Sequence, residues 1–247
     1  MSARFSCALS CALLCACLAA LLVFSSGKAY ARVLVINTFD IYPYSTPHGT
    51  GTLDLVIKEA FRRIGQKIKI EWLPSERALI NADLGIDDGD FVRVAGIGKK
   101  FHNLVRVPGK LCEFQFAAFA RRPGIKISGW KSFARYNVGI PRGAQVLEEN
   151  VSKGMRSLTE VNDQNALFSM LLNGRFDVIV YEKVQGEGLI KECGLPGIRQ
   201  VGHVLKRTPM YLYMNRRYLA LVPRLAMAIR QMKKDGAFSR IMDSGPR

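Results

Sequence analysis

Cysteine and histidine are scarce in this sequence. Of the six cysteines, only Cys112 and Cys193 lie beyond residue 17, which excludes a disulfide-dense scaffold and a four-cysteine zinc site. That pair can bond in an oxidising compartment if the two residues meet in the fold, and otherwise remains as two free thiols. The three histidines are far apart and lack a metal-binding spacing such as HExxH. We therefore expect no metal site and no cofactor.

Long hydrophobic runs are absent outside the N-terminus. Residues 7 to 24 are almost wholly apolar, follow Arg4 and precede "AYA" at residues 29 to 31. This pattern predicts a secretory signal over residues 1 to 31, cut after Ala31, and hence a periplasmic protein. The alternative is a retained N-terminal anchor, because the run approaches the length that spans a bilayer. No later segment is long and uncharged enough to span one.

Acidic residues are outnumbered, with 20 Asp and Glu against 36 Lys and Arg, for a net charge of +16. Removing the predicted signal takes away two positive charges and no negative ones. Such a surface favours anionic surroundings or ligands. We expect no nucleic-acid partner, because the predicted secretory signal argues against one and the basic residues are scattered instead of interleaved with aromatics in a stripe.

From Arg32 onward, short β-branched runs alternate with amphipathic segments. Strands are predicted at residues 32 to 37 and 67 to 73, around a helix whose apolar stripe runs from Leu53 to Ile64 and stops at Gly65. A strand, a helix and a strand in this order imply a right-handed parallel crossover.

The rest of the chain repeats this alternation. After a helix with Ser75 as its predicted N-cap, strands are predicted at residues 90 to 96, 103 to 107 and 113 to 122. A second strand and helix series follows, from "SGWKSFA" to "FDVIVY", and two such series indicate an α/β protein with two lobes. The chain is predicted to cross back near residues 203 to 212 and to end in two helices, one carrying Val222 to Met232 and one around Phe238 and Ile241.

In open α/β sheets, ligands bind outside the carboxyl ends of the strands. After the first strand, "FDIYPY" presents Asp40, Tyr42 and Tyr44 on a loop. Aromatic rings with hydroxyl groups can contact a small molecule, and the alternative is ordinary packing of these rings over the core.

Two arginines are further candidates. Arg77 lies in the first turn of a helix, where a cation fits the helix dipole poorly, so a ligand carboxylate or a structural acid such as Asp87, Asp88 or Asp90 is expected beside it. Arg142 precedes a helix start, where free backbone N–H groups favour an anion. The alternative for Arg142 is a solvated turn residue.

Glu182 follows the buried run "VIV" at the carboxyl end of a predicted central strand. An acid at that position can bind a ligand ammonium group. The alternative is an N-cap or first-turn acid for the next helix, a favourable placement in itself.

Five blocks of the sequence, in order, resemble the bacterial extracellular solute-binding protein family 3, the periplasmic amino-acid-binding proteins with the type II fold. The resemblance covers essentially the whole chain after the signal. It is carried by "FDIYPYSTPHGTGTLDLVIKEAFRRIG", "SERALINADLGIDDGDFVR", "NVGIPRGAQ", "NALFSMLLNGRFDVIVYE" and "AIRQMKKDGAFSRIM".

The resemblance implies a two-lobe Venus-flytrap with a mainly parallel sheet in each lobe and two hinge crossings. One lobe would comprise residues 32 to 118 and 205 to 247, and the other residues 119 to 204.

The resemblance also implies roles for the candidate residues. Tyr42 and Tyr44 match the aromatic–proline loop of the family, Arg142 the anion-binding helix start, and Glu182 the acid that holds a ligand α-amino group. The serine- and threonine-rich loop with a carboxylate-binding arginine has no counterpart here, because "DDGDFVRVAGIGKKFHNLVRV" contains neither residue type. Arg93 and Arg77 are then the candidates for a ligand carboxylate.

The expected function is capture of a small amino-acid-like or carboxylate ligand by a monomer that presents it to an ABC importer. An extracytoplasmic sensor for a membrane signalling partner is the main alternative. An enzyme would need a positioned acid or base, and Glu182, whose burial could raise its pKa, is the one serious candidate. A cell-surface adhesin explains the signal and the charge but gives the loop residues no role.

Overall fold

A mixed β-sheet forms the centre of the computed structural model, which describes residues 32–39, 41–151 and 157–245. The strands in these residues are β1 (Leu34–Thr38), β2 (Ile68–Trp72), β3 (Gly89–Val94), β4 (Leu104–Arg106), β5 (Cys112–Ala120), β6 (Asn137–Pro141), β7 (Ser157–Val161), β8 (Val178–Glu182) and β9 (Arg199–Asn215). Their hydrogen-bonded order is β2-β1-β3-β9-β5-β8-β6-β7, and β4 also pairs with β9.

The helices follow the predicted order. They are α1 (Thr52–Arg63), α2 (Ser75–Leu84), α3 (Gln145–Val151), α4 (Gln164–Leu172), α5 (Lys183–Glu192), α6 (Leu221–Lys234) and α7 (Ala237–Asp243). Two details differ from the prediction. Ser75 is the first helical residue and not the N-cap, which is Pro74 without a side-chain capping bond. The segment Trp130–Arg135 is a 3-10 helix, closed by bonds such as Tyr136 N to Phe133 O.

The sheet contains two groups of parallel strands. In the first group, β1 pairs in parallel with β2 and with β3, and in the second β6 pairs in parallel with β7 and with β8. The parallel pairing of the first two strands is thereby confirmed.

Two antiparallel strands, β5 and β9, join these groups. β9 pairs with β3 near Met210 to Met214 and with β5 from Arg199 to Met210, and β5 pairs in turn with β8. Residues 203 to 212, where the sequence predicts the return of the chain, lie within β9.

The core lies between the sheet and the helices. On α1, Leu53, Val56, Ile57, Ala60 and Phe61 are fully buried, which confirms most of the predicted stripe, and this helix packs against α6 and α7. A second cluster around Phe119, Phe168 and Tyr181 lies beside β8.

Two sequence expectations concern bonding and membranes. Cys112 and Cys193 are both free thiols, so the optional disulfide does not form. Within the described ranges, no helix combines the length and the apolar character needed to cross a bilayer. The predicted signal, residues 1 to 31, lies outside the described residues.

Candidate functional site

Tyr44 lies at the junction between the loop after β1 and strand β5. Its side chain is 7% exposed, and its ring stacks on Phe114, with centroids 5.5 Å apart. The carbonyl of Tyr44 accepts from the backbone N–H of Leu53 at the start of α1. Burial and then the charge of Glu182 raise the pKa of Tyr44. The ring is therefore part of the hydrophobic core, as the packing alternative predicts. The negative charge of Glu182, on β8, acts on the hydroxyl.

Tyr42 occupies a different environment on the same loop. Its side chain is 40% exposed, and its Cε1 atom is 4.0 Å from the position that a Cβ would take on Gly188 of α5. The ring thus lies beside a helix of the second strand group. Asp40, the third candidate on this loop, falls outside the described residues.

Glu182 ends β8 and caps α5. The side chain is 3% exposed, with Oε2 accepting from Gln185 N at 2.9 Å and Oε1 from Gln115 N at 3.2 Å. Burial raises the pKa of Glu182, and the backbone hydrogen bonds partly oppose that shift. The alternative interpretation of Glu182 as a helix cap is confirmed. The charge of its carboxylate also raises the pKa of Tyr44.

Arg93 is a buried arginine with four neighbouring groups. Its Nε donates to Asp90 Oδ2 at 2.7 Å, with side-chain exposures of 7% and 0%. Its Nη1 donates to Ser75 Oγ at 2.8 Å and its Nη2 to Ser75 O at 2.9 Å. The guanidinium also lies over the Phe39 ring, 4.5 Å from the centroid. Arg93 is therefore held between the end of β1 and the start of α2.

A β-bulge at Val92 makes the Asp90–Arg93 pair possible. Residues three apart in a regular strand face opposite sides of the sheet, but the register slips by one residue because Phe91 opposes Leu212 and Arg93 opposes Tyr211. The extra residue, Val92, has a φ of 64°, which is rare for a β-branched residue and costs about 1–3 kcal/mol. The surrounding packing must hold this strain, since Val92 is itself buried.

Unpaired polar atoms lie next to this pair. Within the described part of the chain, Asn37 Oδ1, Thr38 Oγ1 and Asp90 Oδ1 are buried without a hydrogen-bond partner. Asn37 and Asp90 are register partners on β1 and β3. Because buried polar atoms are nearly always paired, this end of β1 and β3 is where an additional polar group would find partners.

Opposing influences act on the pKa of Asp90. Burial raises its pKa from 3.8 to about 6, although the charge and hydrogen bond of Arg93 lower it and the charge of Asp87 raises it further. Desolvation therefore outweighs the ion pair, and the pKa of the carboxyl lies above its ordinary value.

Arg77 is exposed in the first turn of α2. The structural partner expected for it among three nearby acids is not observed. Asp88 pairs with Arg217, Asp90 pairs with Arg93, and the remaining acid, Asp87, accepts bonds from two asparagine amides. The acids are close in sequence but turn toward the sheet, which the spacing alone cannot indicate.

Arg142 follows β6 directly. Its side chain is 60% exposed, and its Nε is 3.4 Å from Glu160 Oε2, a surface pair of the kind that contributes about 0–1 kcal/mol. One backbone donor near the helix start is already occupied, because Gly143 N donates to Glu148 Oε1 at 3.0 Å. This environment matches the solvated-turn alternative.

The structure thus brings some candidates together and leaves others apart. Tyr44 and Glu182 both lie against β5, where they contact Phe114 and Gln115. Tyr42 lies beside α5 and Arg93 lies with Phe39 and Asp90, whereas Arg77 and Arg142 are exposed. The sequence indicates Asp90 only as a possible partner for Arg77. No cluster of three or more His, Cys, Asp or Glu residues in the described ranges could hold a metal ion.

Comparisons with known proteins address the fold. No family model matches the sequence. An uncharacterised protein of Shewanella oneidensis is 27% identical over 195 residues, which is 76% of this chain and 73% of the relative.

Solved structures resemble the chain over most of its length. A histidine kinase sensor domain with similarity to periplasmic binding proteins has a TM-score of 0.77 at 17% identity, covering 88% of this chain and 97% of that one. An ancestral arginine-binding protein bound to arginine has a TM-score of 0.74 at 17% identity, covering 87% and 99%. The chain has the type II periplasmic-binding-protein fold.

Other structures with this fold agree. The ligand-binding core of GluR0 from Nostoc punctiforme, in complex with glutamate, has a TM-score of 0.73 at 14% identity and covers 85% of this chain and 98% of that one. The two-lobe α/β fold predicted from the order of sequence blocks is therefore confirmed. In this type II fold, β5 and β9 are the strands that connect the two parallel groups.

Proposed function

We propose that the protein is a periplasmic solute-binding protein that captures a small amino-acid-like or carboxylate ligand between two lobes. The first lobe comprises residues 32 to 118 and 205 to 247, and the second residues 119 to 204. The observation that carries the proposal is that Tyr44, on a loop of the first lobe, and Glu182, at the carboxyl end of β8 in the second, contact the adjacent β5 residues Phe114 and Gln115. Polar groups from both lobes then line one cleft.

The roles of the residues follow from their charges. Glu182 is buried and acidic, so it binds the ammonium group of the ligand. Arg93 binds the ligand carboxylate, since its guanidinium lies at the end of β1 beside unpaired polar atoms. Tyr42 contributes an exposed ring that covers the apolar part of the ligand. Arg142 and Arg77 are exposed and lie at the rim of the proposed cleft.

A binding role, without a reaction, suits this site. Both oxygens of Glu182 accept one backbone hydrogen bond each, which holds the carboxylate in place and leaves a second lone pair on each oxygen for a ligand N–H group. The resembling structures are binding or sensor proteins by their descriptions. Ligand contact to both lobes favours the closed form by differential affinity.

The partner of the closed form is a membrane protein, which we propose to be an ABC importer. One of the resembling structures is an amino acid ABC transporter substrate-binding protein, with a TM-score of 0.71 at 16% identity. A signalling partner is the alternative, favoured by the likeness to the kinase sensor domain. In either case the protein acts as a monomer after its signal is removed.

A thermal-shift screen tests the proposal. The purified protein is heated with amino acids, small carboxylates, polyamines or short peptides. A ligand at a hundred times its dissociation constant stabilises the folded state by about 2.7 kcal/mol, which raises the melting temperature. Stabilisation by an amino acid or a carboxylate supports the proposal, and no shift with any compound contradicts it.

A further inference from the structure

The Asp90–Arg93 pair leaves hydrogen-bonding capacity on both partners. A guanidinium has five N–H groups, and bonds to Asp90 and Ser75 occupy three of them within the described residues. Asp90 Oδ1 has no partner in the same part of the chain. The pair is thus an incomplete network between the carboxyl end of β1 and the start of α2, where the proposed ligand carboxylate binds.

We infer that Asp90 determines the charge of the ligand that this subsite accepts, because it competes with the ligand carboxylate for Arg93. When Asp90 is ionised, its carboxylate neutralises the guanidinium, and a second carboxylate meets both a compensated cation and a nearby anion. When Asp90 is protonated, its carboxyl no longer compensates the positive charge of Arg93, which can then pair with the ligand carboxylate. Binding of a carboxylate is therefore coupled to the uptake of one proton by Asp90. This inference rests on the proposed function.

The geometry supports direct competition. Asp90 is fully buried, so its charge is poorly screened by water. The bulge at Val92 keeps Asp90 and Arg93 on one face of the sheet, and Ser75 holds the guanidinium from the other side. Arg93 therefore cannot turn away from Asp90 without losing its contacts with Ser75 and Phe39.

The groups around Asp90 leave it as the residue that changes charge. On β3 it faces Arg93, which stays cationic, and on β9 its register partner is Tyr213, whose pKa is raised by burial. The turn before β3 contributes the charge of Asp87, which two asparagine amides hold in place. The partner on β1 is Asn37, and Ser75 on α2 is also neutral. Burial raises the pKa of Asp90 to about 6, so the free protein is mostly ionised at this position above pH 7 and has a proton to take up on binding a carboxylate.

The coupling predicts how the affinity for a carboxylate changes with pH. Above the pKa of Asp90, each rise of one pH unit should weaken carboxylate binding by about tenfold, because one proton must be taken up. Asp90→Asn resembles the protonated carboxyl, since its amide is neutral and keeps an acceptor for Arg93. Its affinity for a carboxylate should not depend on pH, and at pH 8 it should exceed that of the wild type by about a hundredfold.

Isothermal titration calorimetry with succinate and with L-glutamate, between pH 7 and pH 8.5, tests the inference. Repeating each titration in two buffers of different ionisation enthalpy measures the protons taken up. We expect close to one proton for the wild type and none for Asp90→Asn. The matched control is Asp177→Asn, an acid paired with Arg122 on the surface, which should keep the wild-type slope and proton uptake.

The outcomes separate this inference from the proposed function. Carboxylate binding with the same affinity at every pH would overturn the inference and leave the binding function intact. Failure of both carboxylates to bind even Asp90→Asn would also overturn it, while a response to other compounds in the thermal-shift screen would preserve a binding role.

A second measurement needs no variant, should Asp90→Asn fail to fold. Carbon-13 NMR of the aspartate carboxyls follows Asp90 in the wild type with and without succinate. Succinate should raise the midpoint of its titration, and an unchanged midpoint at saturating succinate would overturn the inference.

Discussion

The Tyr44 hydroxyl and the Glu182 carboxylate lie close enough that the charge of Glu182 is, after burial, the largest influence raising the pKa of Tyr44. Tyr44 belongs to the loop after β1, and Glu182 to the last position of β8. Their side chains are both buried, at the level where β5 connects the two strand groups. This relationship is the basis for placing the ligand between the lobes.

Glu182→Gln separates the charge of this residue from its capping role. The glutamine keeps an acceptor for the N–H of Gln185 but loses the one for Gln115 N, so we expect the free energy of unfolding to fall less than in Glu182→Ala. Affinity for a ligand with an ammonium group should fall by about 2–3 kcal/mol, because a charge-assisted bond is lost. Calorimetric titration and urea unfolding measure the two quantities. Wild-type affinity in Glu182→Gln would remove the residue from the site.

Glu182→Ala should behave differently. It removes the cap of α5 and the bond to Gln115 N, and loss of an N-cap costs about 1 kcal/mol of stability. The alanine variant should therefore lose both stability and affinity in the same two measurements. An alanine variant as stable as the wild type would mean that the cap contributes nothing.

Tyr44→Ala and Tyr44→Phe distinguish the contribution of the ring to stability from that of the hydroxyl. The alanine variant loses the stack on Phe114 and should be destabilised by about 3–5 kcal/mol, as for other large aromatic deletions. The phenylalanine variant retains that packing and should unfold near the wild-type denaturant concentration. If Tyr44→Phe proves as unstable as Tyr44→Ala, the hydroxyl and not the ring supplies the stability.

Gly51→Ala should distort the loop that carries Tyr44. A Cβ on Gly51 would lie 2.4 Å from Tyr44 O and 2.6 Å from Ser45 Cα, so the backbone must move. Overpacking of this kind costs about 1–3 kcal/mol. The matched control is Gly129→Ala, where a Cβ meets no atom within 4 Å. Denaturant unfolding that ranks the two variants equally would contradict the close approach.

The stability of the wild type should depend on the ionisation of Asp90. Its pKa is raised from 3.8 to about 6 in the folded state, so the folded protein binds the proton more tightly than the unfolded chain. Stability from this group is complete below pH 4 and is lost as the pH rises to 6 and above, by an amount on the order of 3 kcal/mol. Asp90→Asn should lack this component when unfolding is compared at pH 4 and pH 7. Parallel pH profiles for the two proteins would contradict the raised pKa.

The elements that sequence analysis predicted well depend on local patterns. The stripe on α1 and the apolar run of β8 follow from residue spacing alone, and both are buried as expected. The Asp90–Arg93 pair was missed because strand alternation places residues three apart on opposite faces, and only the bulge at Val92 reverses that relation. The bulge lies in the pairing of β3 with β9, which no local pattern reports.

The structural acid expected beside Arg77 is not found among the described residues, for a related reason, and a ligand carboxylate stays the other prediction. Sequence proximity suggested Asp88 as one possible partner, but the strand start turns that carboxylate toward Arg217 and Tyr218, which come from a distant part of the chain. For Glu182, the sequence offers two interpretations. The structure confirms the capping role, and the ligand-binding role stays a prediction.

The most direct test of ligand binding between the lobes is an NMR titration of backbone amides with the amino acid or carboxylate that gives the largest thermal shift. The account predicts that the amides of the Tyr42 to Ser45 loop and those of Glu182 to Gln185 shift together, with the same dissociation constant. Shifts confined to one of these segments, or found only elsewhere on the protein, would contradict a site formed by both lobes.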